Sequence, residues 1–184
     1  MEKEEQPKSW YNAAAKSPNE KQSAPSIPSP ALARAKTQAQ VLVPVLKAFR
    51  EELGAERANR IAWKALAEWR QQVIAEEPVL PGAPTERFRA RNVAVATLIG
   101  DAVDAQLLKD EPESIEFNIT GCRFAQFFRE LDEPELGFAL TCSWDDTVAE
   151  EIGAGDVKLT RTGTIMQGAN HCDFRYALKK TGRA

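Results

Sequence analysis

The stretch ESIEFNITGCRFAQFF, residues 113–128, holds two different periods. Ile115, Phe117 and Ile119 alternate with polar residues, the two-residue repeat of a half-buried strand. From Gly121 to Leu131 the repeat becomes helical, with Phe124, Phe127 and Phe128 as the packing stripe. The change falls at Gly121 and Cys122, so Cys122 is expected to open a helix. Its sulfur would then lie near unpaired backbone N–H groups and the positive end of the helix dipole, where a thiolate is stabilised. Two readings of Cys122 stay open: an activated nucleophile or metal ligand, or a small buried apolar side chain, the commoner fate of a free cysteine.

Upstream of this junction the chain reads as helical. Val41, Val45, Leu46 and Phe49 recur at helical spacing between Ala31 and Leu53, with Gly54 as a stop and Pro44 as a kink or a late true start. Ile61, Ala62, Leu66, Trp69 and Val73 repeat the pattern between Ala55 and Glu76, so the two helices should form an antiparallel pair. A third helix is expected from about Thr85 to Leu108, with Val93, Val95, Ala96, Ile99 and Val103 as its apolar side. Downstream, a helix is expected over about Glu133 to Ile152. DVKLTRTGTIMQG and CDFRYALK then alternate again, with GANH read as the turn between antiparallel strands. The fold class is therefore α+β: N-terminal helices packed with a small antiparallel sheet. Residues 1–30 mix Lys, Glu, Ser, Gln and Pro and read as a disordered tail, on which Trp10 and Tyr11 are the docking-competent side chains. Residues 31–184 are expected to form a single domain, with a helical part at 31–108 and a motif-bearing α+β part at 113–180.

Composition narrows the function classes. The 184 residues are 43% hydrophobic and 28% charged, without an apolar run of the ~18 to 20 residues that crosses a bilayer. No secretion signal opens the sequence, so a soluble, cytoplasmic protein without a membrane partner is expected. A net charge of -3 without a dense Lys/Arg block argues against nucleic acid as a partner. A small-molecule substrate is the expected partner, and the sequence leaves a homo-oligomer open.

The remaining chemistry lies in two short motifs. In TCSWDD, Cys142 stands three residues before Asp145 and four before Asp146, so a helix would present the thiol and at least one carboxylate on one face. That carboxylate is a base, a metal ligand or an anchor for a cation, or else part of a solvated face. In HCDFR, His171 is the chain's one histidine and the one side chain whose ordinary pKa lies near neutrality. On a strand His171 and Cys172 would point to opposite faces. Arg161 and Thr162, also expected on a strand, would do the same. Three cysteines with a carboxylate or histidine allow a four-ligand zinc site, but no C-x-x-C pair is present, so zinc is permitted by count and not by spacing.

Taken together, FNITGCRFAQFFRELDEPELGFALTCSWD and VKLTRTGTIMQGANHCDFRY resemble the L-2-amino-thiazoline-4-carboxylic acid hydrolase family. The matching pattern is a cysteine followed two residues later by an aromatic, a PELG segment, C-x-x-D, and then R-T-x-T-x-M-x-G-x-x-x-C-D-F. The likeness is close over Ile115 to Tyr176 and general in character over Ala31 to Leu108. It implies a hydrolase that opens a small cyclic amidine or thiazoline ring, yielding N-carbamoyl-L-cysteine from L-2-amino-thiazoline-4-carboxylate. On that reading Asp145 binds the amidinium, and Arg123 or Arg161 pairs with the substrate carboxylate. Cys122 attacks the ring carbon, or Asp145 or His171 activates water. Cys142, Cys172 and Asp173 then support the reacting groups or ligate a metal. The closing TIMQGANHCDFRY is also similar to 4-vinyl reductase type domains, small-molecule-binding modules that hold zinc through clustered cysteines. An earlier cysteine of that pattern is missing here, with Thr164 and Ile165 nearby instead. The alternative function is thus a non-catalytic small-molecule or zinc-binding sensor module, and a blander one is a helical interaction protein using Trp63 and Trp69.

Overall fold

A computed structural model describes residues 29–179. The tail expected over residues 1–30, including Trp10 and Tyr11, lies outside the described residues up to position 28.

Helix α1 (Pro30–Leu53) starts where Ser29 Oγ accepts a hydrogen bond from Leu32 N and proline occupies the first turn, whose missing N–H costs nothing there. Gly54, at φ 78, separates it from α2 (Ala55–Glu76), a conformation most side chains would resist. Helix α3 (Pro84–Ile99) follows. The helix pair forms as its periodicity requires, but with a different face inward. Ala35, Ala39, Leu46 and Ala58 are buried, whereas Val41, Val45, Phe49 and Ile61 face outward. Alanines allow the two backbones to approach closely, and the bulky residues of the same period are displaced from the seam.

Four strands form one antiparallel sheet in the order β1-β2-β4-β3. These are β1 (Val103–Glu111), β2 (Ser114–Cys122), β3 (Val157–Thr160) and β4 (Cys172–Leu178). The alternation in β2 buries Ile115, Phe117 and Ile119, and β4 buries Cys172, Phe174, Tyr176 and Leu178 on the same face. Register pairs Phe117 with Phe174, whose rings stack at 4.7 Å. Strand β1 corrects the expected helix from Thr85 to Leu108. Gly100, at φ 51, ends α3, and beyond it Val103, Ala105 and Leu107 occupy alternate positions that pair with β2. The third helix is therefore shorter, and the sheet gains an edge.

Helix α4 (Arg123–Glu130) leaves β2 directly. Helix α5 (Pro134–Gly137), a π-helical turn (Phe138–Cys142) and α6 (Trp144–Glu151) occupy the region expected to be one helix. The wider π turn is the kind of local irregularity that often accompanies a functional side chain. The strand expected over DVKLTRTGTIMQG ends at Thr160. A loop containing a short 3-10 turn (Ile165–Gln167) carries the chain from β3 to β4, so the connection is much longer than GANH. Two apolar clusters result, one between the sheet and α2, α3 and α6, the other among α1, α2, α4, α5 and the 165–167 turn. Cys122 packs against both.

Candidate active site

The β2–α4 junction seats Cys122 as expected: it ends the strand, caps the helix, and its Sγ accepts from Ala125 N at 3.4 Å. The expected acidification does not follow. Burial pushes the Cys122 thiol up, outweighing the capping N–H groups and the cations Arg129 and Arg123. Cys142, on the π turn, is pushed up to about 12, by burial first and also by Asp145 and Cys122. Cys172, the first residue of β4, is raised by burial although its Sγ accepts from Ile165 N at 3.2 Å. Each thiol is therefore predominantly protonated at neutral pH. Cys122 exerts an electrostatic effect on both of the others, which brings the three sulfurs into one neighbourhood.

Arg161 exerts an electrostatic effect on Cys142 and Cys172. Its side chain is 6% exposed, donating to Asp145 Oδ2 at 2.8 Å, Asp146 Oδ2 at 2.9 Å and Cys142 O at 3.1 Å. Phe174 and Phe138 offer ring faces to the guanidinium at 5.1 and 5.9 Å. Of the two arginines expected to pair with a substrate carboxylate, Arg123 and Arg161, the latter has its planar fork occupied by the protein's own aspartates. Being beyond the end of β3, it also escapes the strand rule that opposed it to Thr162. Two carboxylates against one guanidinium leave the cluster one positive charge short when both are ionised.

Asp145 is shifted far from the ordinary value of its side chain. Burial pushes its carboxyl up to about 6, and Asp146 adds to the rise, against the pull of Arg161. Its side chain nevertheless keeps 36% of its surface accessible, so it is a reachable acid in low-dielectric surroundings. Tyr176, buried on β4 and raised well above its ordinary value, couples to the same aspartates.

The other sequence candidates fall outside this cluster or serve it indirectly. His171 is exposed on the loop before β4, and neither cavity described below is lined by it. Arg123 lies on the surface, 3.8 Å from Asp104 Oδ1. Asp173 organises the loop: it accepts from Thr162 N, Gly163 N and Thr162 Oγ1 at 2.9, 2.8 and 2.6 Å. Modest burial would raise its carboxyl, but these bonds prevail and hold it at about 2. Among the described residues no group of three or more His, Cys, Asp or Glu side chains could hold a metal ion, so the zinc reading lacks a ligand set in this geometry. No helix among the described residues is long and apolar enough to cross a membrane.

A polar recess of about 170 Å³ is lined by Asp146, Arg161, Thr162, Gly163 and Thr164. Beside it opens a cavity of about 860 Å³ whose walls include Trp63, Arg70, Arg129 and Met166. Phe138 and Gln167 line both. The larger space is lined by none of the thiols or aspartates and the smaller by Asp146 and Arg161, while Asp145 and the three thiols line neither. Arg70 was not legible as a site residue: it sits among polar neighbours on α2, and only the folding of α2 against the π turn brings it to a cavity.

The pieces of R-T-x-T-x-M-x-G-x-x-x-C-D-F thus have structural assignments: Arg161 in the ionic cluster, Thr162 and Thr164 on the recess, Met166 and Gly168 on the larger cavity, Cys172 and Phe174 beneath. A search of curated proteins finds no match. A family model described as L-2-amino-thiazoline-4-carboxylic acid hydrolase matches residues 34–176, from the first turns of α1 to the middle of β4. That span takes in the helix pair, the sheet and every residue of the ionic cluster, and the chain belongs to the L-2-amino-thiazoline-4-carboxylic acid hydrolase family.

Proposed function

We propose that this protein opens the ring of a small cyclic amidine, and that its reaction is hydrolysis of L-2-amino-thiazoline-4-carboxylate to N-carbamoyl-L-cysteine. The observation that carries the reading is Asp145, a reachable carboxyl at about 6 beside a buried Arg161 and a second aspartate. The family's name supports hydrolysis. The charge deficit of the cluster suits a cationic amidinium.

In the proposed step Asp145, ionised at neutral pH, takes a proton from water as its oxygen bonds to the ring carbon between sulfur and the two nitrogens. Collapse of the adduct breaks the carbon–sulfur bond. Asp145 returns its proton to the departing sulfur, and the hydroxyl proton passes to solvent as the carbonyl forms, matching the proton the amidinium brought. Arg161 orients Asp145 and keeps it ionised beside Asp146. One water is consumed and one thiol appears. His171 has no role in this sequence. Water is preferred over Cys122 as the nucleophile because burial leaves the thiol protonated.

The second reading, a covalent route through Cys122, is favoured by its capping position on α4. Purified protein incubated with the thiazoline, with free thiol and N-carbamoyl-cysteine followed together, tests both. Asp145→Asn should lower kcat by about 10²- to 10⁴-fold, while Cys122→Ser should keep turnover within a few fold. A folded Cys122→Ser protein without turnover would transfer the nucleophile to the thiol. Wild-type protein that forms no product refutes the reaction.

A further inference from the structure

The larger cavity is lined by two guanidiniums, Arg70 and Arg129, and one carboxylate, Glu135. Arg70 is 9% exposed, and its guanidinium bonds only neutral acceptors: Nε donates to Thr147 Oγ1 at 3.2 Å and Nη1 to Ala139 O at 3.1 Å. Burial lowers its pKa, outweighing the opposing pull of Asp146. Arg129 lines the same space and donates to Ile165 O. Neither guanidinium forms a carboxylate pair among the described residues. Buried charges are normally paired, and an arginine fork matches a carboxylate. The facing acid is Glu135, whose Oε2 already accepts from Asn59 Nδ2 at 3.1 Å. Two guanidiniums and one carboxylate therefore leave the wall net positive. Trp63, Phe138 and Met166 supply an apolar floor, and the volume lies within the range of ligand sites.

We infer that Arg70 and Arg129 form a carboxylate-binding subsite, which takes a small organic carboxylate with its apolar body against Trp63, Phe138 and Met166. The inference deepens the proposed reaction, because the subsite adjoins the polar recess through Phe138 and Gln167 and would hold the substrate's carboxylate. It assigns substrate recognition to these two arginines and away from Arg123 and Arg161.

Benzoate and benzamide, which differ in charge and hardly in shape, are the probes, titrated calorimetrically into the full chain. Wild type should bind benzoate about 10- to 100-fold more tightly than benzamide, the range expected for a charge-assisted pair. Arg70→Gln should abolish the difference. Because Arg70 also ties α2 to the π turn, Arg129→Gln, a change on an exposed side chain, provides a second test and should reduce the difference at least several fold. Absence of benzoate binding, equal binding of the two probes, or an unchanged preference in folded Arg129→Gln and Arg70→Gln proteins overturns the subsite. Benzoate binding needs no turnover. Charge-dependent binding without thiazoline hydrolysis would sink the reaction alone, and hydrolysis without it would sink the subsite alone.

Discussion

Arg50→Met removes the cationic partner of a carboxylate buried between elements distant in sequence. Glu133 is 2% exposed and receives Arg50 Nη1 at 2.6 Å, while Arg50 Nε donates to Asn59 Oδ1 at 2.8 Å. The backbone of Glu133 is fixed as well, its N–H donating to Phe128 O and its carbonyl accepting from Gly137 N. One ion pair thus fastens the end of α1, the start of α2 and the turn into α5. Breaking a buried pair from one side typically costs about 3–5 kcal/mol, because the remaining charge is stranded. Arg50 keeps 23% of its side chain exposed, so water relieves part of that, and about 2–4 kcal/mol is expected. For a chain of this size that lowers Tm by roughly 5–15 °C. Urea denaturation followed by tryptophan fluorescence measures the loss, and the Arg50→Met/Glu133→Gln double variant measures its origin. With the stranded charge neutralised, the double variant should lose at least about 1 kcal/mol less than the two single changes added together. An Arg50→Met protein within about 0.5 kcal/mol of wild type, or strict additivity in the cycle, would refute the reasoning.

Three other outcomes follow from the same geometry. If Asp145 is the base, kcat/KM should fall about tenfold per pH unit below about 6, as its carboxyl takes up a proton; an acid limb near 4 would remove it from that role. Because the folded value lies above the ordinary one, this group makes the native state gain stability as pH falls from about 6 toward 4. Asp173 acts in the opposite sense: held at about 2, it stabilises the fold above pH about 4 and loses that contribution as pH falls toward 2. Asp173→Ala should cost about 1–2 kcal/mol after allowance for its solvent contact and loosen the Thr162–Gly163 loop, seen as faster amide exchange there; unchanged exchange would refute its tethering role. Gly137→Ala would set a methyl 2.6 Å from Phe128 Cγ and 2.8 Å from Met166 Cε, so thermal melts should report a loss of about 1–3 kcal/mol, and a wild-type melt would contradict the packing.

Local order was legible in the chain wherever it depends on near neighbours. The alternation of Ile115, Phe117 and Ile119 requires a strand with one buried face, and the change of period at Gly121 locates Cys122 at the start of α4. The ordered pattern from Cys122 to Phe174 identifies the family without any knowledge of distances. The same local logic failed at Val103, which extends the apolar repeat of α3 while also beginning the alternation of β1. Pairing with β2 chose between those periods, and hydrogen bonds to a distant segment are not written in either one. It failed again on the outer face of α1, where alanines won the seam over Val41, Val45 and Phe49 because close approach of two backbones rewards small residues.

At the site the division is sharper. Residue types, spacing and the family resemblance nominated Cys122, Cys142, Cys172, Asp145, Asp173, His171, Arg123 and Arg161, and in the fold Cys142 feels the charges of Asp145, Cys122 and Arg161. Their chemical states belong to the tertiary structure. A helix start favours a thiolate, yet desolvation by both apolar clusters prevails, since burial penalises a charge from every side and a cap relieves it from one. Arg161 is committed to Asp145 and Asp146 because the loop after β3 passes over the first turn of α6, and Arg70 faces a cavity because α2 crosses the π turn. The sequence by itself therefore determined the helix pair, strand β2 with its junction to α4, the family, and part of the cast of ionisable side chains. Which of them are charged, paired or reachable is decided by the surroundings, because pKa and ion pairing depend on atoms that only the fold brings near.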